Sequence, residues 1–304
     1  MRPPVRTIAG ALAAGLLVAA CTLGAGSLPL DSPVPTARPT TATPAPAQTP
    51  AAPAYVIGGD PNQLVLRIDT QGGLIAPGYF LAHFPDFSLY ADGRVITPGA
   101  VETIYPAPLL PNILETKLTP AELQKVLAAS DQAGLLGPDA SYDAAHVADA
   151  GTTTFATTVD GKTHRISAYG LGIGDDPTLD PAVAQARSKL QAIQAEMFDL
   201  SSFLGRTIDE SPYAPAAMRV FVGAASQVDP PLTQQEVAWP LSLDPASGAT
   251  TMTPGTRCLL VTGPDLDRFL PVARTANALT VWKGAVGRYS VQVRPLLPDE
   301  KGCA

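Results

Sequence analysis

TTTFATTVDGKTHRISAY, residues 152–169, contains two runs of alternating polar and apolar residues on either side of Asp160-Gly161. Alternation of this kind is typical of strands with one buried face. Asp-Gly accepts the positive φ that a two-residue hairpin turn requires. A two-residue turn also fixes which residues face each other. The expected pairs are Val159 with Lys162, Thr157 with His164, and Phe155 with Ile166.

The chain on the N-terminal side of this hairpin predicts further strands and one clear helix. Residues 63–70 alternate as a strand, and Asp92-Gly93 joins a second pair of short apolar runs. Residues 118–134 carry a capping box, because Thr119 and Glu122 stand three positions apart at the start of an apolar periodic run. On the C-terminal side of the hairpin, residues 180–203 predict a longer helix with one apolar stripe.

Residues 209–304 repeat this mixture of short strands and one helix. Strands are expected at 217–222, 257–262, 279–283 and 288–296, and a helix is expected at 265–276. The pattern predicts an α+β protein of antiparallel sheets with helices packed on one face. We expect an N-terminal α+β domain at 55–208 and a C-terminal α+β domain at 209–304.

Two stretches suggest an internal repeat. The segments ELQKVL (122–127) and DLDRFL (265–270) have similar patterns, and each belongs to a strand, helix, hairpin order. One interpretation is a pair of related β-α-β-β units. The alternative is coincidence, because the first turns of amphipathic helices resemble one another. The order of strands in the two sheets distinguishes these interpretations.

The N-terminus has the layout of a secretory signal. Arg2 and Arg6 precede an uncharged apolar run, residues 8–20, that is shorter than the roughly 20 residues a membrane span needs. Small residues then lead directly to Cys21. Residues 1–20 are therefore expected to be a signal peptide. The segment 21–54, rich in Pro, Ala and Thr, is expected to be a disordered tether that would span about 100 Å if fully extended.

The stretch Val18-Ala19-Ala20-Cys21 resembles the lipobox of bacterial lipoproteins. The tether and the Ala/Gly/Pro-rich composition are similar to those of uncharacterised lipoproteins of high-GC Gram-positive bacteria. The resemblance implies that the Cys21 thiol carries a diacylglyceryl group. That group would anchor the protein to the outer face of the cytoplasmic membrane. The alternative is an ordinary secretory signal with an incidental cysteine.

Charge and cysteine content fit an exported protein. Residues 21–304 carry 18 basic and 27 acidic residues, a net charge of −9. Such a chain is a poor partner for nucleic acid, and its contact with the membrane is expected to be the lipid itself. Beyond Cys21 the chain has two cysteines, Cys258 and Cys303, an even pair that predicts a disulfide in an oxidising compartment. The alternative is two free thiols.

One loop carries residue types that bind divalent metals. Asp143, His146 and Asp149 are evenly spaced just before the central hairpin, and carboxylate and imidazole groups are common metal ligands. His164 on the hairpin is a further candidate ligand. The alternative is that the two aspartates cap turns and His146 is a solvated loop residue. No catalytic residue and no cofactor are predicted.

These observations favour a binding or structural module of the cell envelope over an enzyme. The expected partner is an envelope protein, a peptide or a cell-wall component, with sheet edges as candidate contact sites. The alternative function is an exported hydrolase with an unfamiliar site, metal-assisted through Asp143, His146 and Asp149.

Overall fold

A computed structural model describes residues 54–75, 77–143, 147–174 and 177–303, all within one compact unit. The first sheet has eight strands in the order β5-β7-β6-β1-β2-β3-β4-β8. These strands are β1 (Leu64–Gly72), β2 (Phe87–Tyr90), β3 (Arg94–Pro98), β4 (Ile113–Lys117), β5 (Ala140–Ser141), β6 (Gly151–Val159), β7 (Lys162–Tyr169) and β8 (Ser211–Pro212). All of them pair antiparallel except β5, which runs parallel to β7.

The second sheet has six strands in the order β10-β13-β14-β9-β12-β11. They are β9 (Ala217–Ala224), β10 (Glu236–Ala238), β11 (Ala249–Thr250), β12 (Arg257–Thr262), β13 (Val281–Lys283) and β14 (Arg288–Pro295). The helices are α1 (Pro77–Ala82), α2 (Pro120–Gln132), α3 (Pro181–Phe198), α4 (Leu200–Leu204) and α5 (Gly263–Ala273). None of the helices within the described ranges has the length and apolar character needed to cross a bilayer. The architecture confirms the predicted α+β class.

The central hairpin has the predicted register. Val159 pairs with Lys162, and the ladder continues through Phe155 and Ile166 to Thr152 and Tyr169. Asp160 and Gly161 have φ of 53° and 72°, as a two-residue turn with both residues in the left-handed region requires. The hairpin at Asp92-Gly93 also forms, but only Gly93 takes a positive φ there, and five residues separate the paired Leu89 and Val95.

The helices cover one face of each sheet. The capping box of α2 is present: Thr119 Oγ1 accepts from Glu122 N, and the Glu122 carboxylate accepts from Thr119 N. Apolar residues of α2 and α3 share one core with β1, β2, β6 and β7. In the second core, α5 packs on its sheet, and Phe269 stacks against the fully buried Trp282 at a centroid distance of 5.5 Å.

The predicted helix 180–203 is divided into α3 and α4. Asp199 ends α3, and its carboxylate caps α4 by accepting from Ser202 N. In the middle of α3, Arg187 is buried and donates to the backbone oxygens of Tyr142, Tyr169 and Gly170. This arginine ties the segment after β5 and the end of β7 to the helix layer, because it donates to three of their backbone carbonyls.

The strand orders exclude the internal repeat. In the first sheet, β4 precedes α2, and the hairpin that follows α2 is β6–β7. Three strands lie between β4 and this hairpin, and the first hairpin strand, β6, is the nearer one. In the second sheet, β12 precedes α5, and the hairpin that follows α5 is β13–β14. One strand lies between β12 and this hairpin, and the second hairpin strand, β14, is the nearer one. The similarity of residues 122–127 and 265–270 therefore reflects only two similar helix starts.

The segment after β14, residues 296–303, holds the two sheets together. The Asp299 carboxylate accepts from Arg67 at 2.8 and 3.1 Å and from the Tyr90 hydroxyl at 2.8 Å. Glu300 binds Arg294 through two hydrogen bonds of 2.6 and 2.7 Å. The segment ends in the predicted disulfide, which joins Cys303 to Cys258 on β12. We refer to residues 296–303 as the C-terminal tail.

Candidate functional site

The structure describes only two of the three predicted metal-binding residues, Asp143 and Asp149. Cys21 and His146 lie outside the described residues. Asp143 follows β5, where its carboxylate accepts from Ser141 Oγ at 2.9 Å and from Tyr169 N at 3.1 Å. Asp149 occupies a turn with φ of 55°. Within the described ranges, no group of three or more His, Cys, Asp or Glu side chains is placed to hold a metal. Metal binding by Asp143, His146 and Asp149 stays a prediction.

His164, the further candidate ligand, does not face the loop that carries Asp143 and Asp149. Its side chain is buried on the helix-covered side of the sheet, and Nδ1 lies 2.6 Å from the backbone oxygen of Gly137. Asp143 is held by Tyr169 N, and His164 lies five positions before Tyr169 on β7, roughly 16 Å away along the strand. The suggestion that His164 joins the loop was wrong.

The candidate site is instead a groove of about 380 Å³ between the helix layer and the first sheet. We call it the α3–α4 groove, because its outer wall is the end of α3 and the start of α4. Its inner wall is formed by β3, β4 and the residue before β2. The lining residues are Asp86, Val95, Thr97, Pro98, Thr116, Met197, Phe198, Asp199, Leu200, Ser201, Ile208 and Glu210. A volume of this size is typical of pockets that hold a small molecule or one to two side chains.

The division of the helix at Asp199 creates the groove. If the helix were continuous, residues 199–204 would extend along the axis of α3. Instead, Asp199 leaves the helical conformation and serves as the N-cap of α4. Gly205, in the left-handed conformation, is the C-cap that ends α4. The chain after Gly205 brings Ile208 and Glu210 to the rim before β8 pairs with β4. The groove thus follows from a local helix break that two residues, Asp199 and Gly205, specify.

Part of the groove lining is apolar. Val95, Met197 and Leu200 belong to the buried core beneath it. Phe198 stands at the rim, and 54% of its side chain is exposed to solvent. An exposed phenylalanine next to an open groove leaves apolar surface that a partner could cover.

The charged residues that line the groove are all acidic. Asp86, Asp199 and Glu210 line the groove, and no Lys, Arg or His is among the lining residues. Burial raises the pKa of Asp86, the nearby charge of Asp69 raises it further, and hydrogen bonds from Thr70 and the charge of His83 oppose this shift. The hydrogen bonds from Ser202 hold the pKa of Asp199 below its ordinary value. A cation in the groove would relieve the unfavourable burial of the Asp86 carboxylate.

Sequence reasoning missed this site. Asp86 and Glu210 are 124 positions apart, so no local motif connects them. The one local signal was Asp199 within a predicted helix, because aspartate is a poor residue for a helix interior and a good N-cap. Reading Asp199 as a second cap would have predicted the break.

In comparisons with protein-family models, with curated proteins and with solved structures, nothing matches this chain. The site must therefore be interpreted from its own geometry.

Proposed function

We propose that this protein is a membrane-anchored extracytoplasmic binding module that holds a basic peptide segment in the α3–α4 groove. Lipidation of Cys21 would place it at the outer face of the cytoplasmic membrane. The Pro/Ala/Thr-rich tether would give the folded part reach into the envelope. The residue pattern at Val18-Ala19-Ala20-Cys21 supports the anchor.

The observation that carries the ligand class is that apolar residues and an all-acidic set of charged residues line the same groove. A lysine side chain has four methylene groups and a terminal ammonium, so it can cover apolar surface with its stem and place its charge beside a carboxylate. In the groove, the stem would lie on Phe198 and Ile208, the apolar lining side chains that are exposed or partly exposed. The ammonium would face Asp86 and Glu210, which line the same groove.

The charge of the whole chain supports the same ligand. With a net charge of −9 over residues 21–304, the protein attracts cations at long range and repels anionic ligands. Binding that depends on such a field weakens as salt is added, since the Debye length falls to about 8 Å at physiological ionic strength.

The test is a titration of the full-length protein, purified from membranes in detergent, with a fluorescent peptide of ten lysines. We expect binding that weakens with salt, and little binding of the same peptide after acetylation of its lysines. D86N combined with E210Q should weaken binding about tenfold, since two partly exposed ion pairs contribute up to roughly 1 kcal/mol each.

The matched control is D229N combined with D267N. Both aspartates are exposed and lie outside the groove, and the double change alters the net charge by the same amount. It should leave binding within about twofold of the wild type. The proposal fails if the acetylated peptide binds equally well, or if the control variant weakens binding as much as D86N with E210Q. No binding of the lysine peptide at low salt would also reject it.

A further inference from the structure

The face of the first sheet opposite the helices carries a second cavity. Leu66 and Ile68 of β1 point into the helix-covered core, so Arg67, Asp69 and Gln71 project from the opposite face. Together with residues of β6 they line a trough of about 270 Å³. The register sets Arg67 opposite Ala156, Asp69 opposite Thr154, and Gln71 opposite Thr152. We call this cavity the open-face trough.

The charged groups of the trough are already paired within the protein. The Arg67 guanidinium donates to the Asp299 carboxylate and to the hydroxyls of Tyr90 and Ser88. Asp69 Oδ1 lies 2.5 Å from His83 Nε2. Asp69 Oδ2 accepts from the Gln71 amide at 2.6 Å. The trough therefore does not present an uncompensated charge that would select an ion.

Asp69 keeps its carboxylate ionised. Burial acts to raise its pKa, but the hydrogen bonds from His83 and Gln71 and the charge of Arg67 together hold the pKa below its ordinary value. An ionised carboxylate accepts hydrogen bonds and donates none, and its two oxygens have about four lone-pair sites. The contacts with His83 and Gln71 occupy one site on each oxygen, so others remain for ligand hydroxyl groups.

Neutral hydroxyls complete the polar lining. Thr152 and Thr154 are partly exposed, and their side-chain hydroxyls make no hydrogen bond to any other described residue. Each can donate one hydrogen bond and accept others. The small side chain of Ala156 leaves room beside Arg67. A fixed acceptor next to two free hydroxyls matches a neutral ligand with several hydroxyl groups.

An aromatic ring lies next to His83, outside the trough lining itself. Tyr79 on α1 is 58% exposed, and its ring centroid lies 6.1 Å from that of His83, the partner of Asp69. A tyrosine provides a large apolar surface with a polar edge at small cost in conformational entropy. Such a ring can cover the C–H face of a sugar while the hydroxyls of the sugar reach the trough.

We propose that the open-face trough is a saccharide-binding site for a neutral pyranose unit. Asp69, Thr152 and Thr154 bind its hydroxyl groups, and Tyr79 packs against its apolar face. The trough shares no lining residue with the α3–α4 groove, which lies on the helix-covered side of the same sheet.

The test uses calorimetric titration of the full-length protein in detergent with two probes, the tetramer of N-acetylglucosamine and maltotetraose. The first represents the amino-sugar backbone of a cell wall, and the second represents a plain glucan. Binding of either probe supports the site, and the preferred probe identifies the source of the saccharide. T152V combined with T154V should weaken binding about tenfold, because two hydrogen bonds are lost. Y79A should weaken binding about threefold or more.

The matched control is T158V combined with T163V. These hydroxyls bond to each other at 2.9 Å on the neighbouring β6–β7 ladder, beyond the trough. The control should bind sugar like the wild type, and T152V with T154V should bind the lysine peptide like the wild type. The proposal is overturned if neither probe binds at about 10 mM, a concentration that detects even millimolar affinity. It is equally overturned if the control loses as much affinity as T152V with T154V, or if neither trough variant loses any.

Discussion

Removing the disulfide between Cys258 and Cys303 tests how the tail contributes to stability. The two cysteines are 45 positions apart, and the bond closes a loop that contains α5, β13 and β14. In the chain-entropy description, closing a loop of this length restricts the unfolded chain by about 4 kcal/mol at 25 °C. The expected loss of unfolding free energy in C258A combined with C303A is therefore about 4 kcal/mol.

The same loss of unfolding free energy can be expressed as a decrease in Tm. For the roughly 250 residues of the folded part, the unfolding entropy is about 0.5 kcal/mol/K, so a loss of 4 kcal/mol lowers Tm by about 8 °C. Hydrogen bonds hold the tail in addition to the disulfide: Arg219 Nε donates to Gly302 O at 2.7 Å, and Asp299 binds Arg67 and Tyr90. The tail should therefore stay docked in the native state after reduction.

The assay is urea unfolding, followed by tryptophan fluorescence, of oxidised wild type, reduced wild type and the double alanine variant. Trp282 lies fully buried in the core of the second sheet, so its emission reports unfolding there. Reduced wild type and the variant should lose similar amounts. The reasoning is refuted if reduction changes the unfolding free energy by less than about 1 kcal/mol. A loss confined to the variant would assign the effect to packing at Cys258, which is itself buried.

Three further predictions concern other residues. R187M should lower the unfolding free energy by about 3 kcal/mol or more in urea titrations, because three backbone carbonyls lose their donor, whereas R165M at an exposed position should have little effect. Burial acts to raise the pKa of Glu300, but the ion pair with Arg294 holds this pKa below its ordinary value of 4.5. The ionised Glu300 therefore contributes its full stabilisation of the fold above pH 4.5. This contribution declines as the pH falls through the lowered pKa. Urea midpoints measured from pH 7 to pH 3 should fall less steeply in E300Q. C21A should lack the lipid and leave the membrane fraction, as mass spectrometry and fractionation would show.

Local features of the fold could be predicted from the sequence. The register of the central hairpin follows from Asp160-Gly161 and the alternation around it, and the start of α2 follows from Thr119 and Glu122. In each case the interacting residues are within about eighteen positions, so the pattern itself contains the geometry.

The association of the two sheets could not be predicted. Arg67 and Asp299 are 232 positions apart, and each was an ordinary surface residue in the sequence pattern. The same applies to the α3–α4 groove, whose acidic groups come from the segment before β2, the start of α4 and the segment before β8. Contacts of this kind depend on how sheets and helices pack, and periodicity does not report packing between distant segments.

The sheet edges illustrate a further limit. Available edges were expected as contact sites, but the outermost strands, β5, β8, β10 and β11, have only two or three residues, and β8 contains Pro212. Short edge strands and proline are the usual means by which proteins prevent strand addition. The contact sites proposed above therefore lie in cavities on the faces of the first sheet.

The attachment of residues 55 and 56 bears on how this protein withstands mechanical load. Gln124 on α2 receives a hydrogen bond from Tyr55 N and returns one to Tyr55 O, and Val56 is bonded through both its N and its O to Asp160 at the hairpin turn. A force applied to the chain on the N-terminal side of residue 55 would act on these hydrogen bonds before it acted on β1. They would share the force between a helix and a hairpin. Force from that side would therefore load α2 and the turn between β6 and β7 before it loaded β1, which lines the open-face trough.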